Sequence, residues 1–291
     1  MIEIAPDVYY IPGRNNSRFP YCSCLYVSGK NMRVLIDAGM GSSKIQPVKK
    51  SGIDLLILSH CHIDHRLTRK QIPDVPVWCH EKEEPFLCNK ELFLTATGIK
   101  RSGIDLKSLI DFSEGIFDMK IRHNLIDGEQ IDLGGLTLVT LYTPGHSPGH
   151  LAFYIPEHDL LFSADVDLTS FGPFYGHDFA DIDDFIQSIK RLKTLNPKIV
   201  ATGHAGPFEG DISKDFDDYE EVIYRRERLV LEHLTRPRSL EYFTGRNLIF
   251  RSYPEDPHLM QWFELIHVEK HLKRLAANGR VRQEAGKWMP S

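Results

Sequence analysis

The chain has 291 residues, a length that suits one large domain or a large domain with a small one. Its hydrophobic content of 42% and charged content of 26% are those of a globular protein and argue against a disordered or collagen-like chain. The formal net charge of −5 by itself says nothing about nucleic acid binding. No run approaches the roughly 18–20 apolar residues of a membrane span, and the start shows no signal-peptide pattern. We therefore expect no membrane partner.

The cysteine pattern favours a reducing compartment. An odd number of cysteines, five in all, in a chain of this length argues against a disulfide framework, so we expect a cytoplasmic protein. Cys22 and Cys24 form a C-x-C pair, but no second pair completes a zinc knuckle. We interpret both as small apolar residues of a strand.

The first half of the chain is typical of short strands separated by turn residues. Apolar runs bounded by glycine, proline or polar residues predict strands over Asp7–Ile11, Cys22–Val27, Met32–Ile36, Leu55–Leu58 and Val75–Cys79. Ser42–Lys50 predicts a helix that leads into the buried strand at Leu55. The segment Glu81–Asp118 is polar and mixed, and we expect it to cover a site.

Strand patterns return after this segment and then give way to helices. The predicted strands cover Ile131–Tyr142, Leu151–Ile155, Leu160–Phe162 and Ile199–Ala201. Asp183–Leu195 carries apolar residues at helical spacing and predicts a helix.

The charge balance changes after about residue 210. Residues 1–224 carry a net charge of −10, whereas residues 225–291 carry +5. The basic part predicts helices over Arg225–Thr235 and Leu259–Asn278, followed by a hairpin, or wing, over Val281–Met289. We therefore predict a first domain over residues 1–212 and a helical C-terminal subdomain over residues 213–291.

One segment directly after a buried strand carries four side chains that can bind metal. It reads LSHCHIDH over residues 58–65 and holds His60, His62, Asp64 and His65. In an extended backbone, His60 and His62 point the same way, because successive side chains alternate. Asp64 and His65 follow as the chain turns, so they can face a second point. Two metal ions roughly 3.5–4 Å apart require such a division of ligands.

Three later segments supply further candidate ligands. His146, Asp165 and His204 each lie where an apolar run ends and small, turn-forming residues begin. Ligands at the ends of several strands converge on one sheet edge. The remaining isolated histidines are interpreted as ordinary surface or core residues, namely His80, His123, His158, His233, His258, His267 and His271.

The joint pattern resembles the metallo-β-lactamase superfamily over about residues 1–210. The phrases LIDAG around Asp37, TPGH ending at His146, SAD ending at Asp165 and TGH ending at His204 match in order. The resemblance implies an α/β fold, the αβ/βα four-layer sandwich, with the catalytic domain in residues 1–212. By position, one metal would be held by His60, His62 and His146, and the other by Asp64, His65 and His204. Asp165 would bridge the two.

The resemblance also assigns roles to neighbours of the ligands. Asp37 resembles the family's structural aspartate, which steadies the ligand loop. His150 belongs to a phrase like that of glyoxalase II, and we expect it to support the ligands rather than bind metal. Strand alternation should turn Cys61 away from the metals. Flavodiiron relatives carry Glu at the second histidine, so His62 argues against that branch.

The implied cofactors are two divalent cations, zinc in the first place, with manganese or iron as alternatives. A hydroxide bridging the metals is expected to attack an electrophilic carbon or phosphorus, with Asp64 orienting it as the catalytic carboxylate. The aromatic segment 170–177 follows Asp165, and Tyr175 or His177 is a candidate for contact with substrate.

The substrate class stays open between several hypotheses. The chain lacks the lysine loop typical of true β-lactamases and the glutathione pattern of glyoxalase II, which leaves a thioester or other small acyl ester as the leading hypothesis. The C-terminal segment 271–281 resembles a winged-helix module found on β-lactamase-like endoribonucleases, so single-stranded RNA is the first alternative. Such modules also serve as dimer contacts, which makes a homodimer a further expectation.

Two other classes remain to be weighed. A persulfide dioxygenase, which shares the sandwich but uses one iron held by two histidines and a carboxylate, is the second alternative. A binding module without catalysis is disfavoured because every ligand position is filled.

Overall fold

The computed structural model describes residues 1–104, 116–117, 119–251 and 257–291. The part of the predicted covering segment Glu81–Asp118 that spans 105–115 and 118 lies outside the described residues. Two β-sheets and the helices on their outer faces make up the body of the molecule.

The first sheet has seven strands that neighbour one another in chain order. They are β1 (Ile2–Ala5), β2 (Val8–Ile11), β3 (Cys24–Ser28), β4 (Arg33–Ile36), β5 (Leu55–Ile57), β6 (Val77–His80) and β7 (Ile121–Leu125). Strands β1 to β4 pair antiparallel, whereas β4 to β7 pair parallel. The inner strand β5, which precedes the LSHCHIDH segment, is buried throughout, as its continuous apolar run predicted.

The second sheet has six strands in the order β13-β12-β11-β10-β9-β8. They are β8 (Gln130–Asp132), β9 (Thr137–Tyr142), β10 (Leu151–Ile155), β11 (Leu160–Phe162), β12 (Ile199–Ala201) and β13 (Phe208–Glu209). The stretch Ile131–Tyr142 therefore forms a hairpin rather than one strand. Gly134 and Gly135 form its turn with φ of 82° and 99°, a conformation that glycine adopts without strain.

Helices cover the outer faces of both sheets. Among the described residues they are α1 (Ile45–Ser51), α2 (Glu84–Cys88), α3 (Lys90–Ala96), α4 (Ile182–Thr194) and α5 (Ser213–Glu232), and a further helix, α6 (Pro257–Ala277), follows near the C-terminus. The start of α4 is fixed by Asp181, whose carboxylate accepts hydrogen bonds from the backbone N–H groups of Asp183 and Asp184 at 2.9 Å.

Side-chain alternation along the strands divides the core into layers. In β3, Leu25 and Val27 face the second sheet, where they pack in one cluster with Phe153. Tyr26, between them, faces the outer helix α1 and packs with Ile45. The second sheet likewise packs its outer face against α4 and α5. The order helix, sheet, sheet, helix confirms the predicted αβ/βα four-layer sandwich.

The helix α5 joins the sandwich to the C-terminal part. Phe216 and Ile223, in its first half, pack against the second sheet, whereas Val230, near its end, packs with α6. The helix predicted over Arg225–Thr235 therefore begins twelve residues earlier, at Ser213, because the first half has its own apolar face toward the sheet. The domain boundary at residue 212 stays a prediction.

The C-terminal part ends in the predicted hairpin. Strands β14 (Val281–Glu284) and β15 (Lys287–Pro290) pair antiparallel, and Trp288 also bridges to Arg238. Val281 and Trp288 are buried against α6. No helix in the described part of the chain combines the length and the apolar character that a membrane span requires.

Candidate metal centre

The candidate ligands gather at one edge of the sandwich because of strand direction. Strand β10 runs antiparallel to both β9 and β11, and β11 runs parallel to β12, so β9, β11 and β12 all end at the same edge. His146, Asp165 and His204 lie in the loops that follow these three strands. The loop after β5 brings the LSHCHIDH segment from the first sheet to the same place, where Ile63–His65 forms a single 3₁₀ turn.

The seven candidate ligands form two groups. Within each group, the ligand atoms all lie within 4.8 Å of one another. The first ligand group comprises His60, His62, His146 and Asp165, and the second comprises Asp64, His65 and His204. All except the partly exposed His204 are buried. The extended backbone at residues 60–62 and the turn at 63–65 thus place the candidate ligands of one segment at two points; their roles as metal ligands stay a prediction.

Asp165 lies between the two groups and faces each with a different oxygen. Its Oδ2 lies 3.1 Å from Nε2 of His146 and 3.8 Å from Nε2 of His60. Its Oδ1 lies 2.8 Å from Nε2 of His65 and 3.5 Å from Nε2 of His204. A carboxylate with this orientation can bind two cations at once, one through each oxygen.

Four of the five imidazoles are held through Nδ1, which leaves Nε2 pointing inward. The Nδ1 groups of His146 and His204 donate to the carbonyl oxygens of Phe174 (2.8 Å) and Ser17 (2.6 Å). His65 Nδ1 lies 2.8 Å from the Asp37 carboxylate, and His60 Nδ1 lies 2.9 Å from the Ser59 hydroxyl. A proton fixed on the outer nitrogen leaves the inner nitrogen with the lone pair that a metal requires.

His62 is oriented the other way round. Its Nδ1 lies 2.7 Å from Nε2 of His146, inside the first ligand group, and its Nε2 lies 2.8 Å from Nδ1 of His177. His177 was predicted as a substrate contact. It does line the cavity beside the site, but its hydrogen bond goes to a candidate ligand.

The inward-facing atoms fit divalent cations. His60 Nε2, His65 Nε2 and Asp165 Oδ1 are buried; the first has no hydrogen-bond partner among the described residues, and the other two lie 2.8 Å apart without good hydrogen-bonding geometry. Buried polar atoms without partners destabilise a fold, so their convergence needs a compensating group. Imidazole nitrogen and carboxylate oxygen together match zinc and similar divalent ions.

The pKa shifts separate the two groups. Burial, together with neighbouring imidazoles, lowers the pKa of His60 and His62 well below the usual value. Burial also disfavours protonated His65 and His204, but nearby carboxylates outweigh it and raise their pKa. Burial alone would raise the pKa of Asp165, but the surrounding imidazoles, His65 first among them, have the larger effect and lower it.

Asp37 and His150 contact the ligand loops without belonging to either group. Asp37 accepts hydrogen bonds from the backbone N–H and the hydroxyl of Ser59, both at 2.8 Å, in addition to its contact with His65. His150 Nε2 accepts from the backbone N–H of Asp165 at 3.2 Å, and burial lowers the pKa of His150 to about 3. The supporting roles that the resemblance gave to Asp37 and His150 stay predictions. Cys61 packs in the apolar core beneath the first sheet.

Glu83 is a residue that sequence reasoning missed. Its buried carboxylate accepts from the backbone N–H of Cys61 (2.8 Å), from the Ser147 hydroxyl (2.7 Å) and from the backbone N–H of Gly149 (2.5 Å). It thereby ties the loop of His60 and His62 to the loop of His146. Glu83 lies in the acidic run EKEEP, and nothing in that run distinguishes it from its neighbours.

The C-terminal helix α6 contacts the segment 174–177, which forms hydrogen bonds with the candidate ligands His62 and His146. His267 Nε2 accepts from the backbone N–H of Tyr175 at 3.1 Å, next to the Phe174 carbonyl that holds His146. The Tyr175 hydroxyl lies 2.8 Å from Nε2 of His271. Tyr175 is fully buried and is not among the described residues that line the cavity, so this geometry gives no support to the predicted substrate contact.

A cavity of about 680 Å³ adjoins both ligand groups. Asp64, His146 and Asp165 form part of its wall, and the described remainder is dominated by aromatic and aliphatic side chains. Arg18 is the one lysine or arginine among the described lining residues. The volume and apolar lining are typical of a small-molecule site.

Comparisons with known proteins agree with this geometry. The chain is 29% identical over 170 residues to the "Beta-lactamase-like protein 2 homolog" of Caenorhabditis elegans; the match covers 57% of this chain and 55% of that protein, little more than half its length. It is 27% identical over 195 residues to "Hydroxyacylglutathione hydrolase GloC" of Haemophilus influenzae, covering 64% of this chain and 85% of that protein.

Structural similarity extends over nearly the whole chain. The crystal structure of the metallo-beta-lactamase family protein TTHA1429 from Thermus thermophilus superposes with a TM-score of 0.79 and covers 99% of both chains at 22% identity, which shows a shared fold. The model of the metallo-beta-lactamase superfamily matches residues 18–204, the range that carries all seven candidate ligands. The chain therefore belongs to the metallo-beta-lactamase superfamily, whose members are generally metal-dependent hydrolases.

Proposed function

We propose that this protein is a binuclear metal-dependent hydrolase that cleaves thioesters or other small acyl esters. The observation that carries the proposal is the position of Asp165 between two ligand groups, beside a cavity with a largely apolar wall. The similarity to a hydroxyacylglutathione hydrolase supports an acyl substrate. The single arginine on the described cavity wall argues against RNA, because a protein that tracks a phosphate backbone needs several cations.

The residues divide the work as follows. One divalent cation would be held by His60, His62 and His146. The other would be held by Asp64, His65 and His204, and Asp165 would bind both. Bound cations would act as Lewis acids and lower the pKa of water to about 7. Zinc fits this donor set, and manganese and iron are the alternatives.

Asp64 has a further role at the cavity wall. Its carboxylate is buried, and the imidazoles of His65 and His204 outweigh burial and lower its pKa, so it stays ionised near neutral pH. In the reaction, a water oxygen bonds to the acyl carbon and the carbon–sulfur bond breaks. Asp64 accepts the proton of that water and passes it to the departing thiolate.

Elemental analysis followed by a substrate panel tests the proposal. We expect about two zinc or manganese ions per chain and hydrolysis of thioesters in preference to lactones, phosphodiesters and RNA. Metal-dependent cleavage of single-stranded RNA without thioester hydrolysis would favour the endoribonuclease alternative. One ferrous ion per chain with persulfide oxidation would favour the dioxygenase. Turnover that survives complete chelation would contradict all three.

A further inference from the structure

We infer that the cavity takes an extended apolar acyl chain, and that the C-terminal helix α6 supplies much of its binding wall. This inference rests on the proposed thioester hydrolysis and names the part of the substrate that gives specificity. The wall in question, here called the apolar wall, is formed by Ile99, Phe174, Leu259, Met260 and Phe263.

The apolar wall is continuous with the metal centre. The Phe174 ring lies 6.1 Å from the ring of His146 and 5.5 Å from the ring of Phe263, measured between centroids. Phe263 also lies 5.2 Å from the ring of His177, which contacts His62. An apolar group attached to a carbonyl at the ligand groups would therefore contact this wall directly.

Burial and polarity indicate which part of the substrate fits the wall. Ile99, Leu259 and Phe263 are only 3–7% exposed, and the wall has no charged side chain. A terminal apolar group suits such a surface, whereas the long polar carrier of a biological thioester must remain in water. The exposed side of the cavity, at Asn16 and Arg18, offers the carrier that path. The buried apolar wall therefore fits the acyl tail and not the thiol carrier.

The expected effect follows from the free energy of burying hydrocarbon. Each methylene transferred from water to the wall should raise kcat/KM about fourfold until the cavity is full. A volume of about 680 Å³ accommodates a chain well beyond an acetyl group. Preference should therefore rise steadily with acyl length and then level off.

A series of S-acyl-N-acetylcysteamine thioesters, from acetyl through butyryl and hexanoyl to octanoyl, tests the inference on the zinc-loaded full chain. We expect kcat/KM to rise with length in the natural protein. In Met260→Trp, which narrows the cavity, the rise should stop at a shorter chain, so the ratio of octanoyl to acetyl kcat/KM falls. The matched control is Gln261→Trp, which places the same bulk on α6 at a position outside the cavity lining.

The outcomes separate this inference from the proposed function. Equal kcat/KM for acetyl and octanoyl substrates would overturn the acyl wall and leave thioester hydrolysis intact. If no thioester is hydrolysed, calorimetric binding of octanoate and butyrate to the same protein decides. Octanoate binding at least tenfold tighter, with the difference lost in Met260→Trp but not in Gln261→Trp, supports the wall. Equal affinities would overturn it.

Discussion

The two ligand groups share Asp165, but their surroundings give them different charge. The first consists of imidazoles packed against one another, with the His60 and His62 rings 4.6 Å apart and only the shared carboxylate beside them. The second pairs two imidazoles with Asp64, and Asp37 lies behind His65. The first group therefore has one carboxylate, that of Asp165, among its imidazoles. The second combines imidazoles that favour the protonated form with negatively charged carboxylates.

Under the proposed function, this difference gives the two cations unequal sites within one fold. Imidazoles with a lowered pKa present lone pairs at neutral pH without losing protons first. A group of carboxylates and protonated imidazoles is stable without metal, because its charges compensate one another, but it must release protons to bind a cation.

The largest effect should come from removing the shared charge. Asp165→Asn leaves both groups without their common carboxylate, so we expect the metal content to fall at both. Thioester hydrolysis should fall by well over about 100-fold, which is the upper end of the loss when only a residue that hydrogen-bonds to a ligand is changed. Metal analysis and thioester hydrolysis measure this. Asp167→Asn, a cavity residue outside both groups, is the control and should keep its metals. Two bound metals in Asp165→Asn would refute the bridging position.

A smaller loss should follow when only the second group is changed. Asp64→Asn removes that group's own carboxylate and the proton acceptor, so turnover should fall at least about 100-fold with the fold intact. One metal per chain should remain, held by the first group. Full activity in metal-loaded Asp64→Asn would contradict the role given to this residue.

The outer partners should have intermediate effects, each on its own group. His177→Ala frees His62 Nε2 and should weaken the first site, whereas Asp37→Asn loosens His65 and should weaken the second, each by about 10–100-fold in metal affinity. Competition with a chromophoric chelator measures both. His177→Gln, which can restore a hydrogen bond, should recover part of the loss. Equal weakening of both sites by His177→Ala would show a merely structural role.

Metal affinity should depend on pH differently at the two sites. The raised pKa of His65 and His204 means that protons compete with metal at the second group up to a higher pH. The lowered pKa of His60 and His62 delays that competition at the first group to more acidic solution. As pH falls from about 8 to about 6, affinity at the second site should drop by about tenfold per unit for each proton displaced, and the first should change little. Parallel loss at both sites would contradict the comparison.

The smallest effect is expected at Cys61, which lies between two candidate ligands in sequence. Its side chain packs in the apolar core, so Cys61→Ala should lower the free energy of unfolding by about 1 kcal/mol and leave the metal content unchanged. Denaturant unfolding and metal analysis on the same sample test this. Loss of one metal would show that alternation does not turn the thiol away.

Local pattern was sufficient to predict most of the sandwich. Leu151–Ile155, Leu160–Phe162 and Ile199–Ala201 form strands with the predicted bounds, because their apolar runs end at turn residues on both sides. Strand β7 (Ile121–Leu125) was not predicted, since it is mostly exposed and lacks a clear apolar run. The early start of α5 was not predicted, because its first turns are rich in acidic residues and only a few apolar side chains, such as Phe216 and Ile223, mark the face toward the sheet.

The sequence alone determined which side chains are available as ligands, and that four of them can face two points, because spacing along a strand and a turn is a local property. The tertiary structure alone decided which nitrogen of each histidine faces inward, that Asp165 divides its oxygens between the groups, and that Glu83 and His177 hold the ligand loops. Apart from the hydrogen bond between the neighbours Ser59 and His60, these outcomes depend on contacts between residues distant in sequence, such as His204 with Ser17, which are 187 positions apart. Long-range packing sets such contacts, and no local spacing encodes them.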